Sequence, residues 1–185
     1  MSFIEKMVSF IKEAERLKSV TRTAWTREGR RESTAEHSWR LALLAGLAAE
    51  RFPELDKAKV LMMCLVHDMG ELYEGDVSAA LRPDPQAKEE AERRAVRRAF
   101  ALLPEPQEAA LLALWEEYNA HATPEARLVK ALDKAETIIQ HNQGSNPPDF
   151  DYRFNLGYGK EAFEDNDFLR QLRALLDEET AAKNA

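Results

Sequence analysis

The stretch from Val60 to Asp76 restricts the fold of this chain more than any other. Val60 to Val66 carry no charge, and His67, Asp68, Glu71 and Asp76 then arrive within ten positions. An unbroken apolar run that feeds straight into ionisable groups predicts a buried helix delivering polar side chains to the interior. On such a helix His67 and Glu71 share a face one turn apart, and Asp68 lies three positions before Glu71. Imidazoles and carboxylates taken out of water are costly unless they pair or hold a cation. The chain therefore has to converge on this segment with compensating partners.

The 185 residues suit one domain over residues 1–185, and an apolar fraction of 44% with 32% charged residues is that of a soluble globular protein. A net charge of −7 argues against nucleic acid or an anionic membrane as partner. No run of about eighteen apolar residues predicts a membrane span. The first residues alternate charged and apolar types unlike a signal peptide. Cys64 is the single cysteine, which fits a reducing, cytoplasmic setting.

Helical periodicity recurs along the chain. Phe3, Ile4, Met7, Val8, Ile11, Ala14 and Leu17 form one stripe. A loop follows from Lys18 to Glu32, rich in arginine (Arg22, Arg27, Arg30, Arg31) around Trp25. It reads either as a solvated basic loop or as a lip that holds an anion while Trp25 stacks on a planar group. Ser33 and Glu36 have capping-box spacing at the start of the next helix, which turns His37 inward with Leu41 and Leu44. Asp84-Pro85 and Thr123-Pro124 open two further helices. The first of these, from Gln86 to Leu103, alternates charges, with Glu89, Glu92, Arg93 and Arg97, and is expected to present a solvated face. The second carries Asp133 at the edge of its apolar stripe and Glu136 within it, where Glu136 is expected to pair with an inner group. Residues 142–159, with Phe150, Tyr152, Phe154 and Tyr158, read as an aromatic loop packed over the site or at a subunit contact, and residues 160–185 as a closing helix. No strand pattern of useful length is present. The expected fold class is all-α, a compact single-domain helical bundle.

Two imidazoles and two carboxylates, His37, His67, Asp68 and Asp133, make a ligand set for one divalent metal ion of the Mn, Co, Fe, Ni or Zn type. Glu71 stands close enough to deprotonate an attacking water. The order His37, His67-Asp68, Asp133 resembles the H…HD…D pattern of the HD-domain metal-dependent phosphohydrolases. Ala35-Glu-His-Ser38, His67-Asp-Met-Gly-Glu71, Gly75-Asp76 and Arg22-Thr-Ala-Trp25 are similar to the 5′-deoxynucleotidase branch of that superfamily. The resemblance covers about residues 3–141, with the motif core at about 33–141.

It implies a metal-dependent phosphomonoesterase that converts deoxynucleoside 5′-monophosphates to deoxynucleoside and phosphate. It also implies Co or Mn as metal, with Zn, Fe, Ni and Mg as alternatives, a small nucleotide as substrate and a homodimer as assembly. In that picture His37, His67, Asp68 and Asp133 are the metal ligands and Glu71 the base. Asp76 holds the sugar hydroxyl, Arg22 the phosphate, and Trp25 crowds the sugar edge where a ribonucleotide carries its 2′-hydroxyl. Two residues separate Arg22 from Trp25 here, whereas in some bacterial relatives the pair is adjacent. Rival readings are an HD phosphohydrolase acting on a cyclic dinucleotide, nucleoside triphosphate or alarmone, and a nonenzymatic metal-binding scaffold. Two-metal relatives need further histidines. Only His121 and His141 remain, both in polar, helix-terminal sequence contexts, so a single ion is expected.

Overall fold

A computed structural model describes residues 1–77 and 84–183. Among these, eight α-helices run in the order α1 (Phe3–Ala14), α2 (Thr34–Ala48), α3 (Lys57–Val66), α4 (Pro85–Phe100), α5 (Glu105–Ala120), α6 (Pro124–Gln143), α7 (Arg153–Gly157) and α8 (Asp167–Lys183). The all-α expectation holds. Most of the connection from Asp76 to Asp84, expected to be irregular, lies outside the described residues.

The caps read from the sequence form. Ser33 and Glu36 satisfy each other's backbone N–H groups at the start of α2. Asp84 accepts from Gln86 N–H ahead of Pro85, and Thr123 accepts from Ala126 N–H ahead of Pro124. Helix α6 is the central element, packing against α2, α3, α5 and α8. Its Leu128, Val129, Leu132, Ala135 and Ile138 join Leu41, Val60, Met63 and Cys64 in the main core. A second cluster of Val66, Met69, Leu72, Val96, Phe100 and Trp115 seats α4 against the segment after α3.

The structure departs from the sequence reading in several places, among them the 142–159 stretch, expected as loop, which holds α7. Residues Thr21–Trp25 (β1) and Arg31–Ser33 (β2), expected as loop, pair as a small antiparallel hairpin. Thr21, Thr23 and Trp25 suit a strand, and Gly29, at φ +82°, turns the chain back with its N–H donated to Thr26 O. Helix α3 ends at Val66 and not beyond Asp68. His67 caps it, Asp68 occupies the bridge region at φ −97°, ψ 13°, and a short 3₁₀ turn covers Met69–Glu71. The tight winding at Gly70 is what lets α4 approach, since a Cβ there would sit 2.6 Å from Glu92 Cβ. Finally, the apolar stripe of α1 is not buried: Phe3, Ile4, Met7, Val8 and Ile11 are exposed, while Phe10 and Ala14 pack on the second cluster.

Candidate metal centre and substrate cavity

His37, His67, Asp68 and Asp133 come from α2, the end of α3, the turn after it and α6, and they meet at one point. His37 Nε2 lies 3.1 Å from Asp133 Oδ1 and 3.8 Å from Asp68 Oδ2. His67 Nε2 lies 3.1 Å from Asp68 Oδ2 and 3.9 Å from Asp133 Oδ1. Two atoms each about 2.1 Å from a shared ion can be at most about 4.2 Å apart, so these four imidazole–carboxylate separations fit a shared ion. His37, His67 and Asp133 form the tight group, their candidate atoms all within 4.8 Å of one another, and Asp68 adjoins it through the two imidazoles.

In His67, His37 and Asp133 the remaining polar atom is held elsewhere, which aims the other one inward. His67 Nδ1 donates to Cys64 O at 2.9 Å, leaving a lone pair on Nε2. That Nε2 is buried and has no hydrogen-bond partner, because Asp68 is close but not aligned to it. His37 Nδ1 donates to Glu136 Oε2, the paired role expected of Glu136. Asp133 Oδ2 accepts from Tyr118 Oη at 2.9 Å and from Lys134 Nζ at 3.1 Å.

The electrostatics agree with a cation site. Burial alone would raise both aspartates, yet the His67 and His37 imidazoles hold Asp68 below the usual carboxylate range. Against the same burial, Lys134 and the two imidazoles keep Asp133 well below it. Burial and the Arg22 guanidinium press His37 downward, but Glu136 and Asp133 outweigh them and lift it to about 9. Buried anionic oxygens gathered beside imidazoles make a candidate cation site.

Glu32, His37 and Glu136 form a second acidic group within reach of an ion. Arg22 Nη1 is 3.6 Å from Glu32 and 3.8 Å from Glu136, and Arg40 Nε is 3.3 Å from Glu136. Two guanidiniums already neutralise these carboxylates, so the geometry favours one ion.

The centre forms the floor of a cavity of about 770 Å³, also lined by Arg22, Trp25, Glu71 and Asp76. Seven of the eight residues singled out from the sequence thus line one space, and His37 touches it through Asp133. Glu71 is only 6% exposed and accepts from Thr34 Oγ1 at 2.9 Å. Burial, then the charges of Asp68 and Asp76, push its carboxyl well above the usual range. It reaches the site from the 3₁₀ turn, not from a helix face shared with His67. Arg22 donates to Thr137 Oγ1 at 3.0 Å, while its buried Nη1 has no acceptor. Trp25 carries the Arg31 guanidinium over its ring, 5.3 Å from the centroid.

Several wall residues escaped the sequence reading. Lys88 and Glu92 project from α4 into the cavity, although that helix was expected to show only a solvated face. Lys130 lines it too, its ammonium 4.4 Å from the Tyr118 ring centroid. His141, expected in a polar helix end, is buried in the wall and donates to Asn155 Oδ1 at 2.7 Å. The spacing of His141 from Ile138 on α6 was the available signal. The 142–159 segment packs over the site, as one of its two expected placements had it, and contributes Phe150, Phe154 and Tyr158.

Comparison with known proteins gives a consistent result. The family described as HD domain matches residues 14–173. The human protein named 5′-deoxynucleotidase HDDC2 is 34% identical over 139 residues, covering 74% of this chain and 67% of that protein. Its Xenopus laevis counterpart is 35% identical over 138 residues, with 74% and 68% covered. The solved structure titled a predicted metal-dependent phosphohydrolase from Magnetospirillum magnetotacticum superposes with a TM-score of 0.83 at 33% identity, over 98% of this chain and 97% of that one.

Proposed function

The chain belongs to the HD domain family, and on that premise we propose that it hydrolyses deoxynucleoside 5′-monophosphates to the deoxynucleoside and inorganic phosphate, using one divalent metal ion. The observation that carries this reading is the convergence of His37, His67, Asp68 and Asp133 on one point beside the buried acid Glu71, at the floor of a cavity. The relatives named 5′-deoxynucleotidases support the substrate class.

These four side chains would hold the ion, with Co or Mn favoured. When bound, it supplies Lewis-acid stabilisation of charge on the phosphoryl oxygens. Glu71 would take the proton of the attacking water, its basicity raised by burial and by the charges of Asp68 and Asp76. Arg22, which lines the cavity, would meet the phosphate through its guanidinium. Asp76 would accept a hydrogen bond from the sugar hydroxyl, with Trp25 at the sugar edge.

The deciding experiment is a panel of nucleotides incubated with purified protein and Mn or Co. Phosphate release from 2′-deoxy monophosphates, faster than from their ribo counterparts, is the expected result. Turnover confined to cyclic dinucleotides, triphosphates or alarmones would shift the assignment to another phosphoester.

A homodimer belongs to the same reading. Trp39, Leu43 and Leu47 recur every four residues along α2 and are exposed, as are Met62 and Leu65 on the neighbouring α3. An apolar strip of this kind favours self-association. Sedimentation at twice the chain's mass is expected, and a monomer at tens of micromolar would count against it. No described helix is long and apolar enough to cross a membrane. A cytoplasmic location is supported by buried, unpaired Cys64, and recovery of the native protein in a secreted fraction would oppose it.

A further inference from the structure

The cavity lining is of two chemical kinds, one polar and one aromatic. The first comprises His67, Asp68 and Asp133 with Lys88, Lys130 and Lys134; the second comprises Trp25, Phe150, Phe154 and Tyr158 with the ring of His141. The four larger aromatics are half-buried, with faces or edges left to the cavity when each could bury far more area in the core.

They form a continuous wall. Trp25 meets Phe150 edge-on at 6.0 Å, Phe150 meets His141 at 4.9 Å, His141 lies 6.5 Å from Phe154, and Phe154 lies 4.9 Å from Tyr158 with the planes only 31° apart. The wall begins close to the metal ligands, since Tyr158 Oη accepts from Lys134 Nζ at 3.0 Å and the same ammonium donates to Asp133 Oδ2 at 3.1 Å.

It is also fixed in place. Arg173 donates to Tyr158 O at 2.6 Å, Asn155 O at 2.8 Å and Leu156 O at 2.9 Å. Asn146 Nδ2 donates to His141 O at 2.6 Å and Tyr152 Oη at 2.9 Å. A buried arginine and a buried amide network thus anchor a segment that has little regular structure. A rigid apolar platform binds a flat ring at low entropic cost. Burial draws His141 below its ordinary value.

We propose that Phe150, Phe154 and Tyr158, with His141 between them, form a nucleobase subsite that stacks the base of the substrate and takes purines and pyrimidines alike. The proposal rests on the deoxynucleotidase reading and adds where the base is bound. Every base has a π-face, so stacking contributes affinity without choosing among bases. A stacked base touches none of the reacting atoms, so the subsite is expected to act on KM and leave kcat in place.

The test is steady-state kinetics with Mn or Co on the four deoxynucleoside 5′-monophosphates and on 2-deoxyribose 5-phosphate, which keeps sugar and phosphate but lacks a base. The unaltered protein is expected to show kcat/KM about tenfold or more lower on the abasic compound, from one stacked base. Phe150→Ala should remove about tenfold on the nucleotides through KM and leave the abasic substrate unchanged, and Phe150→Trp should restore the nucleotides. Phe154→Ala, beyond His141 in the wall, is the second variant and should show the same split. Equal kcat/KM on nucleotide and abasic substrate in the unaltered protein overturns the subsite while the phosphatase reading stands. Equal losses on both substrates in both alanine variants overturn it as well. Turnover of neither substrate overturns the underlying reading and the subsite together.

Discussion

Asp133→Asn is expected to leave a folded protein that neither retains metal nor turns over substrate. The two oxygens of Asp133, a proposed ligand, face different partners. Oδ1 faces His37 Nε2 and His67 Nε2, while Oδ2 accepts from Tyr118 and Lys134. Asparagine keeps the shape and one acceptor, so Tyr118 and Lys134 are not both orphaned as they would be by alanine. It removes the anionic charge that the two imidazoles, Asp68 and the ion share. Losing a supporting partner outside the ligand set already costs metal affinity about 10–100-fold, so losing a charged ligand should exceed that range. Metal content per chain by elemental analysis should fall to near zero, turnover should drop below about 1%, and far-UV circular dichroism should be unchanged. An Asp133→Asn protein that still carries one ion per chain would remove Asp133 from the ligand set.

How far such a site can be read from sequence depends on whether a residue's surroundings are local. Within the Val60–Asp76 stretch, polar groups following an uncharged run advertise their own burial, and the capping pair Ser33 and Glu36 fixes which face of α2 carries His37. Asp133 and Glu136 were legible as carboxylates on an apolar face of α6. What was not legible depends on contacts between distant segments. The hairpin strands are five and three residues long, too short for alternation to register. Arg22 is drawn inward by Thr137, 115 positions away. Lys88 and Glu92 carry a mixed-charge pattern suited to solvent, and only the close approach of α4 at Gly70 turns them into the cavity. His141 is dry because Asn155 and Phe150 fold back over it, a fact that no window on α6 contains. The exposed stripe of α1 fails in the opposite sense: periodicity identifies an apolar face but not what covers it.

Glu71→Gln is expected to separate chemistry from metal binding. Glutamine preserves the shape of the side chain and can still accept from Thr34 Oγ1, so the contact between α2 and the 3₁₀ turn survives. It cannot take a proton. Removing a positioned general base costs about 100–10,000-fold, and kcat should fall within that range. Metal content should stay at the level of the unaltered protein, since Glu71 is not among the four convergent ligands. Stability gives an independent readout. Burial and the neighbouring charges of Asp68 and Asp76 all disfavour ionised Glu71, so a neutral amide relieves repulsion and the thermal midpoint should not drop. Asp133→Asn loses ion and turnover together, whereas Glu71→Gln should lose turnover alone. Retention of more than about a tenth of the activity with the ion still bound would show that another group activates the water. Glu92, whose carboxyl is raised chiefly by burial and which shares the cavity wall, is then the next residue to replace.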